Sequence, residues 1–428
     1  MTAAVSLIVL LVILGSSIAV AAGMGLTGVV LNQFYSSMPL TRILGELTWS
    51  TTSNFILTAI PFYIMFGEIL LRSGIAERMY SSLMQWLSWL PGGLMHSNVG
   101  ACALFGSVSG SSVATAATIG VVAMGEIDKH KYNEPLFLGT LAAGGTLGIL
   151  IPPSINMIIY GVMTDTSVPK LYLAGFLPGF ILTILFSLTV LIACLWKPHW
   201  GGNKIETSWE ERIRTLPDLL PPLVLLVIVI GAIFYGIATA TEAAAVGIVG
   251  ALAITAWRRR LSFPMLRDVC EATVRTTAMV VAILIGAFFL NVVIQTIGLT
   301  QQLSRLIAAY QLSSVQVLMA VIALYLVLGT FMEELSMMIS TIPITTPLMV
   351  QAGYDSVWYG ILIVLLIQTA MISPPFGINL FVIQGIRGRG KLSDVELGSA
   401  PFVIALLIMI AIICIWPDVV MWAPRIFG

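Results

Sequence analysis

Ile151-Pro152-Pro153-Ser154-Ile155-Asn156 returns later in the chain as Ser373-Pro374-Pro375-Phe376-Gly377-Ile378-Asn379. Both copies lie inside long apolar runs, and in both an asparagine follows a proline pair. Proline removes a backbone donor and clashes with the turn before it. Each run is therefore expected to be a helix broken near its middle. The proline pairs start at 152 and 374, an offset of 222 residues. The same offset relates Gly25-Leu26-Thr27-Gly28 to Gly247-Ile248-Val249-Gly250 and Tyr132-Asn133 to Tyr354-Asp355, while Gly74-Ile75 and Gly298-Leu299 are 224 apart. A near-constant offset along the chain predicts two homologous halves, 1–214 and 215–428.

The composition says where such runs belong. Of 428 residues, 58% are hydrophobic and 9% are charged, against about 25% charged in soluble proteins. So few charges cannot cover a water-soluble surface, which excludes a soluble enzyme or binding module. Twenty basic residues balance twenty acidic ones, so no basic patch marks a nucleic-acid binder. The apolar runs are continuous rather than alternating, which excludes an outer-membrane barrel. At about 20 residues per span, the chain has room for roughly ten crossings. The expected class is an all-α polytopic membrane protein.

Cys102, Cys194, Cys270 and Cys414 are widely spaced, as are His96, His130 and His199. They form no metal-ligand pattern, and the cysteines read as packing residues. The run Val5 to Ala22 has no basic flank and no clean cleavage site. It is expected to be a retained first span rather than a signal peptide.

The first half reads as segments 3–22, 24–37, 55–72, an amphipathic 75–88, 94–126 interrupted at 106–112, 134–161 interrupted at its prolines, and 171–196, followed by a polar linker 197–214. The second half reads 218–236, 239–257, 274–296, 299–310, 314–350 interrupted around Gly329 to Glu334, 356–385 interrupted at its prolines, and 398–423. With an outside N-terminus, and with 94–126 and 314–350 as re-entrant hairpins, sixteen basic residues become cytoplasmic. They are Arg72, Arg78, Lys129, Lys131, Lys197, Lys204, Arg212, Arg214, Arg258, Arg259, Arg260, Arg267, Arg275, Arg387, Arg389 and Lys391. Arg42, Lys170, Arg305 and Arg425 fall outside. The split obeys the positive-inside rule. It puts both termini in the periplasm and makes the halves inverted repeats. Inverted repeats with broken helices are the architecture of secondary transporters.

Irregular backbone at membrane depth is tolerated where it lines a cavity or is buried in protein. Four interruptions meet that description. The first hairpin tip, Gly106-Ser107-Val108-Ser109-Gly110-Ser111-Ser112, with Thr115 one turn on, holds four serines in seven residues. Hydroxyls both donate and accept, and they suit a hard cation or a carboxylate. Close helix packing by small residues is the alternative. The second tip is Gly329-Thr330-Phe331-Met332-Glu333-Glu334-Leu335-Ser336. An acid at membrane depth costs ~2.5–3.5 kcal/mol on insertion scales unless paired or hydrated, and the alternative is a tip sitting in water. At the breaks, Pro152, Pro153, Ser154, Asn156 and Thr146 stand opposite Ser373, Pro374, Pro375, Gly377 and Asn379. Freed carbonyls there can hold a cation and freed N–H groups an anion. The alternative is a kink capped by asparagine. Glu68, Asn291, Glu242, Tyr160 and Gln384 read as scaffold or packing residues.

No Walker A loop and no soluble ATP-binding domain are present, so transport by this chain is expected to use an ion gradient. Neutral hydroxyl and carbonyl clusters favour sodium. A proton site would need a titratable group, which Glu333 or Glu334 offers.

Several stretches together resemble the large membrane subunit of tripartite ATP-independent periplasmic (TRAP) transporters, the DctM type. They are Ala59-Ile60-Pro61-Phe62-Tyr63-Ile64-Met65-Phe66-Gly67-Glu68, Ser73-Gly74-Ile75, Ser109-Gly110-Ser111-Ser112-Val113-Ala114-Thr115-Ala116-Ala117, Gly145-Thr146-Leu147-Gly148-Ile149-Leu150-Ile151-Pro152-Pro153-Ser154, Thr241-Glu242-Ala243-Ala244-Ala245-Val246-Gly247, the second proline break, and Trp416-Pro417-Asp418. The resemblance covers essentially the whole chain. It implies a sodium-coupled elevator in a bacterial or archaeal inner membrane, with sodium as coupling ion and no other cofactor. It also implies two partners, a small four-span subunit of the DctQ type and a periplasmic substrate-binding protein of the DctP type. By that analogy the tips and breaks carry sodium and substrate. Such subunits often have a single acid after the glycine of the second tip. Here that place reads Glu333-Glu334, which leaves open which acid corresponds. The length fits an unfused large subunit.

The expected function is import of a small organic acid or zwitterionic solute. A stand-alone ion-coupled organic anion transporter is one alternative. A membrane-embedded enzyme is another, and it lacks the required nucleophile, metal or acid cluster.

Overall fold

The computed structural model describes residues 18–36, 40–203 and 207–427. Most of the expected span 3–22, and Lys204, lie outside them. The described chain is helical throughout. Its first half runs α1 (Val20–Tyr35), α2 (Leu44–Thr52), α3 (Ala59–Arg72), α4 (Ile75–Leu87), α5 (Leu94–Ser109), α6 (Ser112–Met124), α7 (Glu126–His130), α8 (Glu134–Thr146), α9 (Ile155–Thr164), α10 (Val168–Trp196) and α11 (Trp209–Thr215). The second half runs α12 (Leu220–Phe234), α13 (Ala240–Trp257), α14 (Phe263–Thr296), α15 (Leu299–Ala309), α16 (Ser314–Leu328), α17 (Glu334–Gln351), α18 (Ser356–Met371), α19 (Ile378–Arg387), α20 (Leu392–Ile415) and α21 (Asp418–Phe427).

Capping residues start helices at matched places. The Asn133 side chain accepts the Leu136 N–H at 3.1 Å and starts α8. Asp355, 222 residues on, accepts from Val357 at 2.7 Å and starts α18. Ser111 accepts from Ala114 at the start of α6, and Glu333 accepts from Ser336 at the start of α17. Such caps satisfy orphan donors that each helix leaves at its first turn.

Burial follows the distribution of apolar residues. Every residue of α18 from Val357 to Met371 is buried, as is α8 from Leu136 to Thr146. A helix apolar on all sides belongs at the centre of a bundle. On α10, by contrast, Phe176, Phe180, Ile184, Leu188 and Ile192 recur every fourth residue and stay exposed, a stripe that suits lipid.

The two hairpins are α5–α6, closed by the left-handed Gly110, and α16–α17. The two broken helices are α8–α9 and α18–α19. The halves interlock. α1 packs on α14 and α13 on α3, while α19 packs on α6 and α9 on α17. At the centre, the Gln368 Nε2 donates to the Thr146 carbonyl at 2.7 Å. These two residues are 222 apart, so the matched breaks meet face to face. Close crossings need glycine. A Cβ on Gly106 would stand 2.6 Å from the Gly148 Cα.

Some expected boundaries move. Segment 398–423 is two helices, α20 and α21, because Trp416 before Pro417 is forced out of helical geometry. Segment 274–296 extends back to Phe263. Helix α2 fills a stretch that hydropathy leaves unassigned. Among the described residues five helices are long and apolar enough to span, or six if a bent pair at 209–234 counts. The shortfall from ten arises because hairpin arms and broken-helix halves are too short to qualify singly.

Charges gather at the expected cytoplasmic end. Arg387, with its side chain only 5% exposed, bonds Glu134 at 2.8 Å and Asp394 at 2.9 Å. Arg389 bonds Asp128 at 2.6 Å but is half exposed. Exposed pairs contribute little, so Arg387 carries most of this clasp. A hydrogen bond from Arg387 holds the Asp394 carboxyl below its usual range, and one from Arg389 does the same for Asp128. Lowered carboxylate values stabilise the fold above the ordinary pKa, and the benefit is lost as pH falls through the lowered ones. The melting temperature of the wild type is thus expected to fall between about pH 5 and pH 2. An R387Q/R389Q double variant should melt lower at neutral pH and lose less on acidification. Parallel pH curves for the two proteins would refute the clasp.

Candidate functional site: a cavity where hairpin tips and helix breaks meet

A cavity of about 870 Å³ opens at the middle of the bundle. Ser109, Gly110 and Ser111 of the first tip line it, with Ile155 and Asn156 of the first break. Glu333, Glu334 and Ser336 of the second tip line it, with Ile378 beside the second break. All four interruptions thus contribute to one cavity. Glu333, Glu334 and Ile378 also border a smaller space of about 340 Å³, shared with Gly329, Phe331 and Phe376. A separate cavity of about 260 Å³ around Leu290, Leu324 and Leu348 has no charged lining.

The first tip is a hydroxyl cluster. Ser109 Oγ and Thr115 Oγ1 are 2.8 Å apart, and Thr115 donates to the Ser111 carbonyl at 2.7 Å. Ser107 donates to Leu104 within its own helix and does not reach the cavity wall. Ser112 is tied to the opposite half. The Asn379 Nδ2 donates to Ser112 Oγ at 2.8 Å and to the Ala142 carbonyl at 2.9 Å.

The two breaks differ in exposure. Pro152, Pro153, Ser154 and Asn156 are buried, and Ser154 donates to Ile149 at 2.7 Å. Pro374 and Pro375 are exposed, with Ser373 bonded back to Thr369 at 2.6 Å. Both proline peptide bonds are cis. Gly377 precedes α19 and admits no side chain, since a Cβ there would stand 2.6 Å from the Met371 carbonyl. Gly329 lies against Ala370. The Thr330 hydroxyl is spent on Val327 at the surface.

Several buried polar atoms have no partner among the described residues: Asn379 Oδ1, Gln368 Oε1, Asn156 Nδ2 and Glu334 Oε2. Buried polar groups are normally paired, so these four mark places for a ligand. Asn379 and Gln368 anchor their amide nitrogens on Ala142 and Thr146, one helical turn apart on α8. Their free oxygens therefore lie near the same face of α8. Neutral oxygen donors of this kind fit a hard cation such as sodium. Among the described residues no group of three His, Cys, Asp or Glu could hold a transition metal.

Gln368 was not singled out from the sequence. Its 222-residue offset from Thr146 was the available signal. Glu68 also lines the cavity and is ion-paired to Arg72. Glu242 completes a capping box with Thr239, Asn291 bonds Gln295, Tyr160 bonds Ser356, and Gln384 bonds Arg389.

Comparison with known proteins agrees with this architecture. The family described as "Tripartite ATP-independent periplasmic transporter, DctM component" matches residues 5–419. The chain is 30% identical to the C4-dicarboxylate TRAP transporter large permease protein DctM of Vibrio cholerae, over 98% of this chain and 96% of that protein. It is 31% identical to the ectoine/5-hydroxyectoine TRAP transporter large permease protein UehC of Ruegeria pomeroyi, over 86% and 85%. Among solved structures, the YdaH transporter of Alcanivorax borkumensis shares the fold, with TM-score 0.59 at 14% identity over 90% of this chain and 88% of that one. A match from residue 5 to residue 419, on a bundle whose four interruptions share one cavity, leaves one assignment: the chain belongs to the DctM family, as a multi-pass large permease subunit of a TRAP transporter and not an enzyme.

Proposed function

We infer that this permease imports a small organic acid or zwitterionic solute into a bacterial or archaeal cell, driven by sodium. The convergence of both tips and both breaks on one 870 Å³ cavity carries the reading. Relatives named for C4-dicarboxylates and for ectoine span both kinds of solute. The free oxygens of Asn379 and Gln368 and the Ser109–Ser111 cluster support sodium, since they offer a hard cation neutral oxygens.

The halves, 1–214 and 215–428, act as inverted repeats in the inner membrane, with both termini periplasmic. The cross-packed α1, α3, α13 and α14 form a scaffold. The hairpins and broken helices form the body that moves past it as an elevator. A small four-span subunit completes the complex, and a periplasmic binding protein delivers the solute.

Reconstitution tests this. In proteoliposomes containing the chain and its small subunit, uptake should require both an inward sodium gradient and the solute-loaded binding protein. Uptake that persists without either one overturns the reading. Ser109→Ala is expected to raise the half-saturating sodium concentration about fivefold, which corresponds to ~1 kcal/mol for one hydroxyl. An unchanged sodium dependence would assign the tip to packing.

A further inference from the structure

The cavity has two walls of opposite electrical character. On the first-half wall stand the N-termini of α6 and α9, headed by the neutral Ser111 and Ser154, with no acid in the first turn of α6 or of α9. A helix N-terminus carries partial positive charge and free N–H groups. Asn156, 2% exposed, adds an Nδ2 that no described residue accepts from. This wall is built for an anion.

The second-half wall is the reverse. The N-terminus of α17 already holds two acids. Glu333 is occupied, since its carboxylate accepts the Ser336 N–H at 3.0 Å and the Ser336 hydroxyl at 2.8 Å. Glu334 is not. Its Oε2 is sealed from solvent and has no partner among the described residues. Glu68, the third acid of the lining, is ion-paired to Arg72. No Lys, Arg or His is among the described residues that line the cavity.

The repeat sharpens the contrast. Asn379, after the second proline pair, is bonded to Ser112. The position 222 residues beyond Ser112 is Glu334, and Asn156 is the asparagine after the first proline pair. In one pairing the matched positions satisfy each other. In the other, a donor and a carboxylate oxygen are both left without a partner at the same cavity.

We propose that the transported solute is zwitterionic, its carboxylate held by Asn156 and the N-termini of α6 and α9, its cationic N–H group held by Glu334. This rests on the permease reading above and narrows it. A dicarboxylate in the same pose would set its second carboxylate against Glu333 and Glu334 with no base to offset them.

The test uses the full chain with its small subunit in detergent. Thermal stabilisation is measured against a panel of small zwitterions (amino acids, proline analogues and cyclic amidinium acids) and a matched panel of dicarboxylates, in sodium and in potassium. At least one zwitterion is expected to stabilise the wild type in sodium, with the dicarboxylates inert. Glu334→Gln should weaken that zwitterion at least tenfold, while stabilisation by sodium alone persists and so reports a folded protein. Glu334→Asp should recover part of the affinity. Stabilisation by dicarboxylates in preference to zwitterions overturns the proposal, as does an E334Q variant with wild-type zwitterion affinity. So does an E334Q variant whose sodium requirement rises while its zwitterion affinity at saturating sodium stays intact, because Glu334 would then serve the ion. If no solute of either class stabilises the protein in sodium, the substrate is not bound in this cavity and the permease-site reading fails with the proposal.

Discussion

Asn379→Leu is expected to reduce uptake at least 100-fold, with the protein still inserted and assembled. The Asn379 side chain is fully buried and donates to Ser112 and to the Ala142 carbonyl. Leucine is of similar size but donates nothing, so two acceptors lose their partner inside the protein. An orphaned buried group costs about 1–3 kcal/mol, and a 100-fold effect needs about 2.7 kcal/mol. The same change removes Oδ1, one of the free oxygens assigned to the cation. Initial uptake rates in proteoliposomes measure the loss, and co-purification with the small subunit checks assembly. Wild-type uptake would mean that the tie between α19 and α6 has no part in transport.

Gly398→Ala should have the largest effect on stability. Helices α8 and α20 cross so closely that a Cβ on Gly398 would fall onto the Pro135 carbonyl, and one on Gly139 onto the carbonyl of Gly398. The obstacle is backbone, which cannot rotate away as a flexible side chain can. Overpacking of this kind costs about 1–3 kcal/mol, and more where nothing yields. Helix α8 also carries the Ala142 and Thr146 carbonyls that anchor Asn379 and Gln368. A shifted α8 therefore disturbs the site as well as the fold. The thermal midpoint in detergent is expected to fall by at least about 5 °C, with uptake reduced alongside. An alanine variant that melts with the wild type would show that the helices separate at no cost.

The legible parts of this protein are those that act locally. A proline pair interrupts a helix wherever it stands, so Pro152-Pro153 and Pro374-Pro375 announced their breaks. Glycines and serines at 106–112 announced a tip for the same reason. The pairing of Gln368 with Thr146 is different, since it exists only because two helices meet in space. Hydropathy also misjudged α14. Its first turns carry Arg267, Asp268 and Glu271 and read as a loop, although charge does not prevent a helix from continuing into water. At Trp416-Pro417 the opposite happened: the apolar signal ran on through a backbone break. The roles of Ser109 and Ser111 at the cavity, against Ser107 and Thr330 bonded within their own helices, depend on side-chain direction, which residue type alone does not state.

Helix α14 is a single rod of 34 residues, about 51 Å at 1.5 Å per residue, whereas the hydrocarbon layer is about 30 Å deep. The surplus of roughly 20 Å is the end that bears Arg267, Asp268, Glu271 and Arg275, all exposed. Sinking these into lipid would cost ~2.5–3.5 kcal/mol for each charge. The rod is therefore moored at one depth, like a pile driven into a harbour bed, and the first half has no counterpart, because α2 and α3 are jointed at Ser53-Asn54. Whatever travels through the membrane in this protein travels past α14, and α14 is the fixed mark against which its stroke can be measured.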